Sequence, residues 1–134
     1  MDFETGVKLK NLGSFKIGGE ARFFKRATTL EDLINTVEDA KKRCLPFFIL
    51  GGGTNILFSD AGFDGLALKP DFTNLRATGN KVTAGAGVSM ADLVNYSIEN
   101  NLSGLEWAGG LPGTFGGALR GNAGAFGGEL KDTV

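Results

Sequence analysis

The sequence predicts an α+β fold, on three observations. Two stretches carry apolar residues at helical spacing, Leu30 to Val37 and Met90 to Ile98, and each follows a hydroxyl residue placed to cap it. Short apolar runs, Leu45–Leu50 and Leu66–Lys69, have the length and density of strands. A hairpin-like pair, Leu75–Ala77 and Val82–Ala84, stands before the second helix, so a βαβ-like half is followed by strand, hairpin and helix. No internal repeat or low-complexity linker interrupts the chain. The division expected is a first α/β subdomain over about 1–70 and the start of a second over about 71–134.

Met1 to Leu12 is polar with scattered apolar residues and carries little signal. Ser14 to Phe24 reads as two short strands with Phe15 and Ile17 on one face, broken at Gly18-Gly19. Thr28-Thr-Leu-Glu31 has the spacing of a capping box, and Leu30, Leu33, Ile34 and Val37 form the inward stripe of a helix over about 29–43. Lys41, Lys42 and Arg43 complement the negative end of that helix or form a basic patch. Cys44 reads as a buried structural thiol, with a reactive one as the alternative.

Leu45 to Leu50 lacks polar alternation, which suits a strand buried on both faces. It ends at Gly51-Gly-Gly-Thr-Asn55. Three glycines let the backbone take positive φ and let a ligand approach the main chain. Successive free N–H groups form a concavity for an anion, and Thr54 and Asn55 add a hydroxyl and an amide. The sharper reading is a pyrophosphate cradle; the plainer one is a tight turn. A Walker loop would need Gly-Lys-Ser/Thr after the glycines, and none follows Gly53. A dinucleotide turn would need a glycine where Ile56 stands. Asp71 lies where a ribose-binding acid could be, but Ile56 to Asp60 is too short for a crossover before the turn at Ala61–Gly65.

Beyond Pro70, Gly85-Ala-Gly87 leads into Ser89-Met-Ala-Asp92, a second capping-box spacing, with Met90, Leu93, Val94 and Ser97-Ile98 facing inward and Asn100-Asn101 ending the helix. From Gly109 to Gly128 glycine dominates, yet Leu111, Phe115, Leu119 and Phe126 are interleaved and need something to pack on. A flexible linker lacks such anchors. The stretch reads as a folded wall with a bare backbone, Thr114 and Asn122 supplying polar atoms; close helix packing or a lid is the alternative.

Composition excludes several classes. A net charge of −1 gives no bulk attraction for nucleic acid or an anionic membrane, and histidine, the commonest metal ligand and general base, is absent. A single cysteine cannot form an internal disulfide, no leader is seen at Met1 to Lys10, and no apolar run reaches about 20 residues, so an intracellular protein off the membrane is expected. Glycine is the outlier at 22 of 134 residues, clustered where the candidate walls lie.

Four motifs in this order, Leu50-Gly-Gly-Gly-Thr-Asn55, Ala84-Gly-Ala-Gly87, Gly110-Leu-Pro-Gly-Thr-Phe-Gly-Gly-Ala118 and Asn122-Ala-Gly-Ala-Phe-Gly127, resemble the FAD-binding region of the UDP-N-acetylenolpyruvoylglucosamine reductases. The similarity covers about Ser14 to Lys131, with Ser14-Phe-Lys-Ile-Gly-Gly19 standing for the family's Asn-Thr-Phe-Arg-Ile-Gly-Gly segment. It implies an FAD-binding domain over 1–134, of the p-cresol methylhydroxylase and vanillyl-alcohol oxidase type. The implied cofactor-binding residues are Gly51, Gly52, Gly53, Thr54 and Asn55 on the first wall, Gly85, then Pro112, Gly113, Thr114, Gly116 and Gly117 on the second, and Asn122, Ala123 and Gly124 near the flavin.

By the same resemblance, NADPH reduces the FAD, and the flavin then reduces the enolpyruvyl group of a UDP-sugar in peptidoglycan precursor synthesis. The serine, arginine and glutamate that assist belong to sequence absent from this chain, so no catalytic residue is assigned, and the substrate is expected only with the C-terminal half. A non-catalytic module for nucleotide diphosphates or a protein partner is the alternative, and self-association through unpaired edges a further expectation.

Overall fold

A computed structural model of the chain describes residues 2–134. The chain divides into two compact units, residues 1–71 and 72–134.

The first unit is a four-stranded mixed sheet in the order β1-β2-β4-β3, with β1 at Glu4–Lys8, β2 at Glu20–Ala27, β3 at Phe47–Ile49 and β4 at Phe63–Pro70. β1 runs antiparallel to β2, and β4 is parallel to both its neighbours. One face is covered by helix α1 (Leu30–Lys42), which lays Leu33, Val37 and Ala40 over Phe23, Ala27, Leu66 and Leu68. The other face carries Phe24, Ala67, Phe48 and Phe63 under Leu9, Leu50 and Phe58. Phe24 is 1 % exposed, and burying such a ring contributes about 2–3 kcal/mol.

The register between β2 and β4 jumps, Ala21 pairing with Phe63 and Phe23 with Leu66. The extra residue lies on β4, a bulge across which β4 keeps its alternation while Ala21 and Phe23, two residues apart on β2, fall on opposite faces of the sheet. At Gly65 an added Cβ would collide with the Pro46 carbonyl, which already accepts the N–H of Leu66 at 2.9 Å.

Several expectations need correction here. The strand buried on both faces is β4, not residues 45–50; β3 is only three residues long and stands at the sheet edge, with Ile49 55 % exposed. An apolar run does not reveal how many neighbours its strand will have. Ser14–Ile17 forms no strand, because Lys16 sits at φ 58° and turns the chain, leaving Phe15 and Ile17 exposed.

The cap of α1 is Thr29, accepting the N–H of Asp32 at 3.0 Å, one residue later than the Thr28–Glu31 spacing suggested. Packed on the sheet through Leu33, Val37 and Ala40, the helix turns Leu30 and Ile34 to solvent and buries Thr36 and Ala40. Cys44 is exposed, at φ 51° in the turn that leaves the helix. The turn placed at Ala61–Gly65 closes earlier, the Gly62 N–H meeting Ser59 O at 2.9 Å, and β4 starts at Phe63. β3 and β4 are parallel neighbours, so Leu50 to Gly62 is the crossover between them, carried by irregular chain; measured from strand end to strand start it has the dozen residues required.

The second unit is built from the hairpin β5–β6 (Leu75–Thr78, Lys81–Ala84), helix α2 (Met90–Glu99), the short helix α3 (Phe115–Arg120) and a small hairpin β7–β8 (Gly124–Ala125, Gly128–Glu129). Hairpin and α2 lie where the sequence put them, with Ser89 capping α2 through the Asp92 N–H at 3.0 Å. Met90, Leu93, Val88, Ala108, Ala118 and Leu130 form its core, with Leu111 and Phe115 packed against them. Ile98, Leu119 and Phe126, expected inside, are exposed; Phe126 sits at the tip of the β7–β8 turn at φ 51°.

Candidate functional site

The glycine loop leaves the end of β3, held by one last ladder bond from Leu50 N–H to Leu68 O at 2.8 Å. Beyond it, among the described residues, none of the five backbone N–H groups from Gly51 to Asn55 has a hydrogen-bond partner, and the side chains of Thr54 and Asn55 make no hydrogen bond either. Buried or half-buried backbone donors are almost always paired, so a run of open ones marks a place prepared for an acceptor.

The loop is nonetheless firmly held from behind. Gly53 O accepts the Ser14 N–H at 2.9 Å, and Gly51 O accepts the Lys69 ammonium at 3.3 Å. Gly53 is at φ 68°, and an added Cβ would run into the Leu12 carbonyl. The segment 13–19 wraps the next turn of the loop: the Phe58 ring crowds the place of a Cβ on Gly13 and the Phe58 Cβ that of one on Gly18, and Gly19 N–H bonds Ser59 O at 2.9 Å. Lys69 and its neighbour in register, Arg26, share the loop's face of the sheet, and Arg26 is paired with Asp71 at 3.6 Å. Asp71 is thereby placed in a structural ion pair.

Sequence reasoning missed Lys69 and the backbone of Leu12 and Ser14. For Lys69 the available signal was a charge breaking the apolar run Leu66–Leu68, with the alternation placing it on the face of Ala67. No signal marked Leu12 or Ser14, since main-chain groups have no residue signature.

In the second unit the residues assigned from the sequence divide sharply. Gly113 and Thr114 have open N–H groups among the described residues, next to an isolated antiparallel bridge between Ser89 and Thr114. Pro112 precedes them and has no N–H to give. The Thr114 hydroxyl caps α3, accepting the Gly117 N–H at 3.4 Å, and the Gly116 N–H bonds Ala86 O at 3.0 Å.

Gly85 N–H is taken by Asn74 O at 2.8 Å and Ala123 N–H by Ala118 O at 2.8 Å. Asn122, at φ 45°, spends its side chain on Glu129 and on the Lys131 N–H at 3.0 Å. Gly124 lies in the β7–β8 pair, where a Cβ would come within 2.7 Å of Gly128 O. Much of the glycine here answers to close packing: a Cβ on Gly116 would be 2.7 Å from the Ala86 Cβ, and one on Gly128 would strike the Trp107 ring.

The charges at this corner are coupled. Hydrogen bonds from Lys131 first, and Asn122 second, hold the Glu129 carboxyl below its ordinary pKa, and Glu129 raises that of Lys131 in return. Among the described residues no group of three or more acidic, histidine or cysteine side chains could hold a metal ion, and no helix is long and apolar enough to cross a membrane.

Comparisons with known proteins point the same way as the first glycine loop. The family model described as FAD binding domain matches residues 21–134. The UDP-N-acetylenolpyruvoylglucosamine reductase of Caldanaerobacter subterraneus subsp. tengcongensis is 42 % identical over 94 % of this chain and 42 % of its own length, and that of Clostridium novyi is 36 % identical over 99 % of this chain and 44 % of its own. The crystal structure of UDP-N-acetylenolpyruvylglucosamine reductase (MurB) from Thermus caldophilus superposes with a TM-score of 0.82 at 31 % identity, over 98 % of this chain and 46 % of that one. The chain thus spans less than half the length of the reductases it matches. With an α+β architecture and a loop of open amides in place, the chain belongs to the FAD binding domain family.

Proposed function

We propose that this chain binds FAD and is the flavin-holding part of an NADPH-dependent reductase acting on UDP-N-acetylglucosamine enolpyruvate in peptidoglycan precursor synthesis. One observation carries the binding site: five consecutive backbone N–H groups, Gly51 to Asn55, stand open on a loop whose carbonyls are tied down behind it. Such a concavity suits the two phosphates of FAD, and the Thr54 hydroxyl and Asn55 amide can bond further oxygens. The lack of room for a Cβ on Gly53, together with its φ of 68°, makes glycine the residue that lets the main chain take the conformation in which its amides are free.

From the second unit, Gly113 and Thr114 are proposed to donate their N–H groups to the cofactor. Pro112, Gly85, Gly116, Gly117, Ala123 and Gly124 are proposed to offer Cα surface or carbonyls. Asn122 is proposed to hold the β7–β8 corner. Bound FAD would supply hydride chemistry; the residues of this chain bind it, orient it and exclude water. NADPH as donor and the UDP-sugar as substrate are carried over from the related reductases and concern the longer protein, for which a cytoplasmic location is proposed. Each strand of β5–β6 has a single partner, and self-association through those edges is proposed for this chain alone.

The test is a visible spectrum of the purified chain with and without added FAD. Flavin absorbance that travels with the protein, displaced by FAD far better than by ADP, supports the reading. Absence of any retained flavin and of measurable affinity refutes it, and equal affinity for ADP and FAD would favour a general nucleotide-diphosphate module. A clean monomer on size-exclusion chromatography removes the self-association.

A further inference from the structure

We propose that Lys69 is a positioning residue for the diphosphate loop, acting on the orientation of the Gly51–Gly52 peptide and on the local charge. This rests on the FAD reading above and deepens it.

The Lys69 ammonium donates to Gly51 O at 3.3 Å from the end of β4, where its side chain is half-buried on the loop's face of the sheet. Across a trans peptide the C=O of one residue and the N–H of the next point in opposite directions. A cation fixed on Gly51 O therefore turns the Gly52 N–H away from the sheet, as the Ser14 N–H on Gly53 O does for Thr54. With glycine at three successive positions the loop has many conformations to choose from. Two back-side bonds reduce them before any ligand arrives, and preorganisation of this kind appears as affinity.

The charge adds to the geometry. Asp71, two residues beyond Lys69 in the chain, is engaged by Arg26 at 3.6 Å, and Lys69 has no carboxylate partner among the described residues. Its charge remains available to the two phosphates as they displace water from the loop.

The test compares wild type with Lys69→Met, Lys69→Gln and Lys69→Arg by titration with FAD, by thermal unfolding, and by the backbone amide signals of Gly52 without ligand. Lys69→Met should weaken FAD binding about ten-fold or more and shift the Gly52 signal, with the melting temperature little changed. Lys69→Arg should recover most of the affinity. Lys69→Gln keeps a donor without a charge, so it should retain the Gly52 signal, recover only part of the affinity and flatten its salt dependence.

FAD binding by Lys69→Met equal to wild type overturns the proposal, as does a loss that Lys69→Arg does not relieve. If wild type binds no FAD, the cofactor reading fails instead; an unmoved Gly52 signal in Lys69→Met would then sink the positioning role separately.

Discussion

Gly53 sits against the carbonyl oxygen of Leu12 so closely that its α-carbon has no room for a side chain, and its φ of 68° would strain one in any case. Leu12 and Gly53 are distant in sequence, and their close approach, with the Ser14 N–H on Gly53 O at 2.9 Å, sets the glycine loop against the segment leading into β2. Gly53→Ala should lose FAD affinity and cost about 1–3 kcal/mol of stability from backbone strain, before the collision is counted. Gly79→Ala is the control: φ is 59° there too, but the added methyl meets nothing, so a penalty near 1 kcal/mol and unchanged FAD affinity are expected. Chemical denaturation and FAD titration of the pair give both numbers.

Gly128 makes the corresponding contact in the second unit, where it faces the ring of Trp107. Trp107 is the one tryptophan of the chain, and its indole N–H bonds Gly104 O at 3.1 Å. Gly128→Ala should push the ring toward water and red-shift its emission, with a loss of about 1–3 kcal/mol, as overpacking typically costs.

Both long helices start on a side-chain oxygen: Thr29 for α1, Ser89 for α2. Thr29→Ala and Ser89→Ala should each cost about 1 kcal/mol, and Ser89 more than Thr29, because its hydroxyl also donates to the Asp92 carboxylate at 2.7 Å. Thermal unfolding of the two variants against wild type measures the difference.

The corner made by Asn122, Glu129 and Lys131 should loosen in acid. The Glu129 carboxyl titrates below its ordinary value, so its contribution is present above that value and is lost as pH falls through the lowered one. Lys131 has the opposite sign: its share holds at neutral pH and fades only as pH rises through its raised value. Protection of the Lys131 amide, which donates to Asn122 Oδ1, against hydrogen exchange relative to its intrinsic rate should fall as pH drops through the lowered Glu129 value in wild type, and should already be reduced at neutral pH in Glu129→Gln.

What the sequence revealed and concealed follows from the range of each interaction. The α2 cap at Ser89 and the hairpin at 75–84 depend on residues a few positions apart, and both were legible. The neighbours of β3, the outward turn of Leu30 and Ile34, and the exposure of Cys44 depend on which element lies on which, and no local pattern carried that. The first glycine loop was legible as a bare stretch of main chain leaving a strand because its signal is itself local, three consecutive glycines, and its amides are open. The stretch 109–128 looked alike in composition, yet several of its glycines answer to partners far off in sequence, Ala86 for Gly116 and Trp107 for Gly128.

The irregularity at Gly65 acts on the sheet as a change of reading frame. On β2 it sets Ala21 toward Phe58 and Phe23, two residues on, toward α1, while β4 keeps its odd positions toward Phe58 and its even ones toward α1 throughout. Removing a single residue there would restore a regular ladder and send Phe63 to the wrong layer, stripping Phe48 of the edge-on ring it meets at a centroid distance of 4.9 Å. A length change of one at this spot should therefore do more harm than the loss of any one side chain nearby.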